Sequence, residues 1–200
     1  MTVMAAVKCR AGSISVAWLL LAVLAGAGGS QAAGGVSARL VLSRSDVGGH
    51  YLVNRAFTSR HTLSEVQTAA PRPVRRRFAS LWVEGTQTGF NGDRSVAGRT
   101  IISIADVFRT TALRAISGWW EARYLTLSGG SKIAIPRGAP GSSRFLLRGH
   151  MQANGVLIYE WRHGRAILQT WLIGPPGTLR VAQLLKLVRA QDAKATHLLG

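Results

Sequence analysis

Cysteine is almost missing from this chain: Cys9 is the only one in 200 residues. The body of the protein therefore has no disulfide and no thiolate metal ligand, and packing alone must hold it together. Cys9 also precedes the apolar run Val16 to Ala27, which excludes lipidation at a cysteine following such a run. Acidic residues are the second shortage, eight against 25 lysines and arginines, for a net charge of +17. These eight are Asp46, Glu65, Glu84, Asp93, Asp106, Glu121, Glu160 and Asp192, and no spacing among them sets up the carboxylate pair that glycoside hydrolysis requires. They are expected to be ion-paired with the surplus arginines. Lysine is scarce as well, with Lys8, Lys132, Lys186 and Lys194 the only four among the 25 cations. Such an arginine skew fits a GC-rich coding bias as well as a binding function.

Catalytic motifs are absent too. There is no G-x-S-x-G, and Gly141-Ser142-Ser143 sits in a Pro/Gly-rich stretch that reads as a turn. Ser128-Gly129-Gly130-Ser131-Lys132 lacks the spacing that wraps a phosphate in backbone amides. The histidines His50, His61, His150, His163 and His197 contain no H-E-x-x-H and no i, i+4 pair, so no metal ligand is assigned. Neither a catalytic residue nor a cofactor is expected. The alternative is a small exported hydrolase or isomerase whose site carries no motif.

What the chain does contain begins with a leader. Lys8 and Arg10 precede the 12-residue apolar run Val16–Ala27, and small residues follow, the three parts of a secretory signal of bacterial type. Ser30-Gln31-Ala32 and Ala25-Gly26-Ala27 both offer small-x-small cleavage sites, of which the first is favoured, giving a leader over 1–32. The competing reading is an uncleaved anchor, since no charge occurs from Ala11 to Ala38, although the apolar run is shorter than the ~20 residues of a spanning helix. Removal of Lys8 and Arg10 leaves a mature charge of +15, two less than the +17 of the whole chain. Such a charge is drawn to anionic lipid headgroups, wall polymers or nucleic acid through salt-screened forces. Export makes an anionic membrane surface or wall polymer the expected partner and nucleic acid the least expected; a small ligand or an envelope protein stays open.

Residues 38–198 read as one α+β domain with a mainly antiparallel sheet of five or six strands flanked by helices. Ser45-Asp46-Val47-Gly48-Gly49 predicts a turn and Tyr51–Phe57 a strand. Thr62-Leu63-Ser64-Glu65 has capping-box spacing and predicts a short helix to about Ala70, and Pro73–Trp82 predicts another. Glu84–Phe90 and Arg99–Phe108 predict a hairpin. A helix capped by Thr110 or Thr111 follows, with Ala112, Ala115, Ile116, Trp119 and Tyr124 as its apolar stripe. Ser128–Ser143 reads as loop. A meander comes next, Phe145–Met151, Val156–Trp161 and Ala166–Ile173, turning at Asn154-Gly155 and His163-Gly164. A last helix, capped by Thr178, buries Val181, Leu184, Leu185 and Val188.

The Asp46-Val47-Gly48-Gly49-His50-Tyr51 opening, the aromatic-glycine strand from Gly85 to Phe90, the Trp161–Arg165 hairpin and the helix end Ala190-Gln191-Asp192-Ala193 resemble exported bacterial domains with a PsbP-like α/β/α sandwich. The resemblance covers most of 38–197 and implies a non-enzymatic extracytoplasmic accessory or ligand-binding role. It implies no catalytic residue.

Two places are candidate sites. Arg72, Arg75, Arg76 and Arg77 form the densest charge in the chain, and on a helix Arg72, Arg75 and Arg76 share a face beside Val74, Phe78 and Leu81. That layout suits docking on an anionic surface, the simpler reading being a solvated helix face. In the second hairpin, a turn at His163-Gly164 pairs Trp161 with Ala166 and Glu160 with Ile167. One face then carries Leu157, Tyr159, Trp161, Ala166, Leu168 and Leu172; the other carries Ile158, Glu160, Arg162, Ile167, Gln169 and Trp171. Ile158, Glu160, Gln169 and Trp171 make a candidate ligand face if open to solvent, and part of the core if another layer covers them.

Overall fold

The structure, a computed structural model, describes residues 35–63 and 72–200. The leader over 1–32 and nearly all of the helix expected from Thr62 to Ala70 lie outside the described residues. Within them runs one seven-stranded, wholly antiparallel sheet. Its strands are β1 (Tyr51–His61), β2 (Trp82–Gly92), β3 (Thr100–Phe108), β4 (Ser131–Lys132), β5 (Ser142–Met151), β6 (Asn154–His163) and β7 (Ala166–Gly174), in the order β1-β2-β3-β7-β6-β5-β4. The expected five or six strands become seven because the glycine-rich stretch after Ser128 pairs two residues, Ser131 and Lys132, with Arg148 and Leu147 at the sheet edge.

Two meanders meet where β3 lies against β7. These central strands are covered on both sides, which is why IISIADVF and AILQTWLI run apolar almost without alternation. On one side pack α1 (Val36–Leu40), the short α2 (Arg44–Val47) and the long α5 (Val181–Leu199), closing a core around Leu40, Leu146, Tyr159, Trp161, Leu168, Leu184 and Val188. On the other lie α3 (Arg72–Leu81) and α4 (Arg114–Ser128), over Ile104, Phe145, Leu147, Ile158, Ile167 and Trp171. The chain is thus an α/β/α sandwich. The turn expected at Ser45–Gly49 is α2, with Ser43 and Asp46 forming a capping box.

The helix starts were expected too early. Thr110 Oγ1 accepts the Ala112 amide and Thr178 donates to the Pro175 carbonyl, so each threonine closes a turn while its helix begins at Arg114 or Val181. Helix α4 is also rotated from its expected stripe: Leu113, Ile116, Ser117, Trp120, Tyr124 and Ser128 are buried, whereas Ala112 and Ala115 are exposed. Polar Ser117 turns inward because its partner is inside. The hairpin register likewise differs. His163 pairs with Ala166 and Trp161 with Leu168, two residues from expectation, and the preceding turn is Gln152-Ala153, with Gln152 at φ 56°. A slip of two preserves which side chains share a face.

Candidate functional site

Pro73 in the first turn and the apolar spacing of Val74, Phe78 and Leu81 make α3 a helix that can be held only by one side. Phe78 is that anchor, 1% exposed, edge-on to Phe108 at 5.3 Å and stacked near Trp82 at 6.3 Å. Arg72, Arg75, Arg76 and Arg77 are all exposed. Arg77 donates to the Ala112 carbonyl at 3.3 Å. Arg72, Arg76 and Arg77 have no carboxylate partner among the described residues.

The proposed hairpin face is not open. Ile158, Glu160, Gln169 and Trp171 are at most 1% exposed, sealed beneath α4, so of the two readings they are part of the core and the candidate ligand face fails. Polar groups do converge there, as the alternation required, but on one another. Gln169 Oε1 accepts from Tyr124 Oη at 2.8 Å and Trp171 Nε1 at 3.1 Å, which fixes its amide so that Nε2 donates to Glu160 Oε2 at 2.9 Å. Ser117 Oγ lies 2.5 Å from Glu160 Oε1. Burial pushes the Glu160 carboxyl well above its usual range, the Asp106 and Glu121 charges push the same way, and the hydrogen bonds from Ser117 and Gln169 oppose them.

The carboxylates among the described residues have partners other than the arginines expected. Asp46 pairs with Lys194 at 2.5 Å, Glu121 pairs with Lys132, and Glu84 accepts the Ser37 amide. Asp106 and Asp192 each receive a tryptophan Nε1–H, from Trp82 at 3.0 Å and Trp161 at 2.8 Å, and each stands beside a histidine Nδ1, of His61 at 3.5 Å and His163 at 3.0 Å. His61 reaches Asp106 across Gly85 in register, where a Cβ would lie 2.2 Å from Asp106 Oδ1. These two Trp–Asp–His arrangements, joined across 24 to 45 positions, had no sequence signal. Among the described residues no cluster of three or more His, Cys, Asp or Glu could hold a metal, and no helix is long and apolar enough to cross a membrane.

A groove of about 240 Å³ opens on the α5 side of the sheet. The Pro175-Pro176-Gly177 turn delays α5 until Val181, which leaves the β5–β6 end uncovered. Gly149, Gly155, Val156 and Leu157 line it together with Pro176, Gly177 and Leu179, and the lining residues Arg148, His150 and Arg180 are exposed. Register brings Arg148 beside Leu157 and His150 beside Gly155.

No family model matches the chain, and no curated protein matches it in sequence. Among solved structures, its fold is similar to that of the extracellular domain of PknH from Mycobacterium tuberculosis, with a TM-score of 0.50 and 9% identity over 78% of this chain and 94% of that one. The two share a fold. The PsbP-like resemblance gains no support from these comparisons.

Proposed function

We propose that this chain is an exported, non-catalytic binding or accessory domain that works against an anionic cell surface through α3. The observation that carries the reading is the exposure of Arg72, Arg75, Arg76 and Arg77 on a helix pinned by buried Phe78. An Arg-rich first turn opposes the helix dipole, so the choice of four exposed arginines here is in keeping with an external anion. The likeness in fold to an extracellular domain and the signal-like leader are both consistent with work outside the cytoplasm. The test is co-sedimentation of the domain from residue 33 onward with vesicles containing phosphatidylglycerol. Replacing the four arginines by glutamine should weaken binding several-fold at low salt, with the difference vanishing at high salt. Equal binding to phosphatidylcholine vesicles would sink the proposal.

A second reading rests on one observation: Asp106, 2% exposed, stands 3.5 Å from the Nδ1 of His61, whose side chain is largely buried, an acid beside a base out of bulk water. A small hydrolase or isomerase would use that pair. Turnover of any ester or carbonyl substrate that Asp106→Asn abolishes, in a protein of unchanged Tm, would favour it.

A further inference from the structure

We propose that the groove between the β5–β6 hairpin and the Pro175–Arg180 segment is a binding site for a phosphomonoester carrying a small apolar group. It lies on the opposite face of the sheet from α3, so it stands or falls independently of surface docking.

Charge is the first argument. Arg148, His150 and Arg180 line the groove with no acidic residue among them. Each of the seven described carboxylates is engaged elsewhere, with Lys194, Ser37, His50 and Ser95, Trp82 and His61, Lys132, Ser117 and Gln169, or Trp161 and His163. The side chains of Arg148 and His150 make no hydrogen bond or ion pair among the described residues, while Arg180 donates only to the Gly177 carbonyl of its own turn, at 3.0 Å. Two guanidinium groups around one concavity raise a positive potential that no carboxylate of the described residues neutralises, and the His150 imidazole beside them adds a hydrogen-bonding group. Helix α5 adds to it, beginning just after Arg180 with no side-chain cap and no acid in its first turn.

Shape and chemistry then select the anion. A volume of about 240 Å³ is small beside the ~300–1,000 Å³ of sites that bury drug-sized ligands, which favours a small ligand over one of nucleotide size. A carboxylate offers two oxygens, and a single guanidinium fork can satisfy both. Two guanidinium groups and an imidazole match instead the three oxygens and near-double charge of a phosphomonoester. Leu157, Pro176 and Leu179 supply an apolar wall for what the phosphate carries. Gly155 keeps the floor low. A Cβ there would meet Leu179 Cδ1 and the Pro176 Cα at 3.6 Å, ordinary contact, so packing does not demand glycine and a methyl would simply occupy the groove.

The experiment is titration of the full-length chain, 15N-labelled and kept soluble in a zwitterionic detergent, with phenyl phosphate. Saturable shifts should appear at the amides of Gly149, Gly155, Gly177 and Leu179, with inorganic phosphate binding several-fold more weakly and phenol not at all. Arg148→Gln with Arg180→Gln should weaken phenyl phosphate at least tenfold, and Gly155→Ala several-fold, each with the wild-type spectrum otherwise preserved. The α3 arginine substitutions should leave this binding unchanged. Glycerol 3-phosphate, a phosphomonoester with no apolar group, should compete no better than inorganic phosphate; competition as strong as that of phenyl phosphate would show that the apolar wall plays no part and would overturn the proposal. No shifts at these amides, undiminished binding in the double arginine variant, or tighter binding of benzoate than of phenyl phosphate would overturn the proposal.

Discussion

Replacing Glu160 by glutamine should stabilise the protein, increasingly so as the pH rises. Glu160 is 0% exposed, and its two hydrogen-bonding neighbours, Ser117 and Gln169, are neutral. Burial, with Asp106 and Glu121 adding repulsion, raises its folded pKa well above the unfolded value of ~4.3. A raised folded pKa means that the native state binds the proton more tightly than the unfolded chain does. The associated stability is complete below the unfolded pKa and is lost as pH climbs toward the folded one, at about 1.4 kcal/mol per pH unit. Glutamine is the uncharged isostere: its oxygen can accept from Gln169 Nε2 while its NH2 donates to Ser117 Oγ. Urea unfolding of both proteins at pH 4, 5, 6, 7 and 8 measures the difference directly, and titrating histidines cancel because both proteins contain them. The advantage of Glu160→Gln should be near zero at pH 4, grow by about 1.4 kcal/mol per unit above pH 5, and level off once the folded pKa is passed. A difference that stays flat from pH 5 to 8 would mean that Glu160 is ionised in the fold and would refute the reasoning.

Other outcomes follow from the same packing. Trp171→Ala should cost about 3–5 kcal/mol in denaturant unfolding, because Trp171 fills the space beneath α4 and a cavity would remain. Gly141→Ala should cost about 2–4 kcal/mol: Gly141 has φ 77°, and a Cβ would lie 2.1 Å from Trp161 Cδ1, so a small loss would show that the loop relocates freely. The Asp46 carboxyl feels burial, which raises its pKa, but hydrogen bonds from Lys194 and Ser43 outweigh it and the pKa is lowered. Its contribution is present above the unfolded pKa of ~3.9 and disappears as pH falls through the folded one, so acid unfolding of Asp46→Asn should show a shallower pH dependence below pH 4 than wild type.

The sequence by itself determined the class of fold, the terminal meander and the assignment of hairpin residues to two faces. Those readings depend on alternation and local turns, and parity survives even a two-residue error in register, as Trp161 opposite Leu168 instead of Ala166 demonstrates. It also picked out the α3 arginines, because a run of charge is a local feature. Only the tertiary structure decided that β3 lies beside β7, that α4 turns Ser117 inward to Glu160, and that the face holding Gln169 and Trp171 is closed. Residues 43 apart in sequence make that hydrogen bond, and no periodicity encodes which distant partner a polar side chain will find. The groove is the same case. Arg148, His150 and Arg180 look like three ordinary exposed side chains until strand register and a proline turn set them around one hollow.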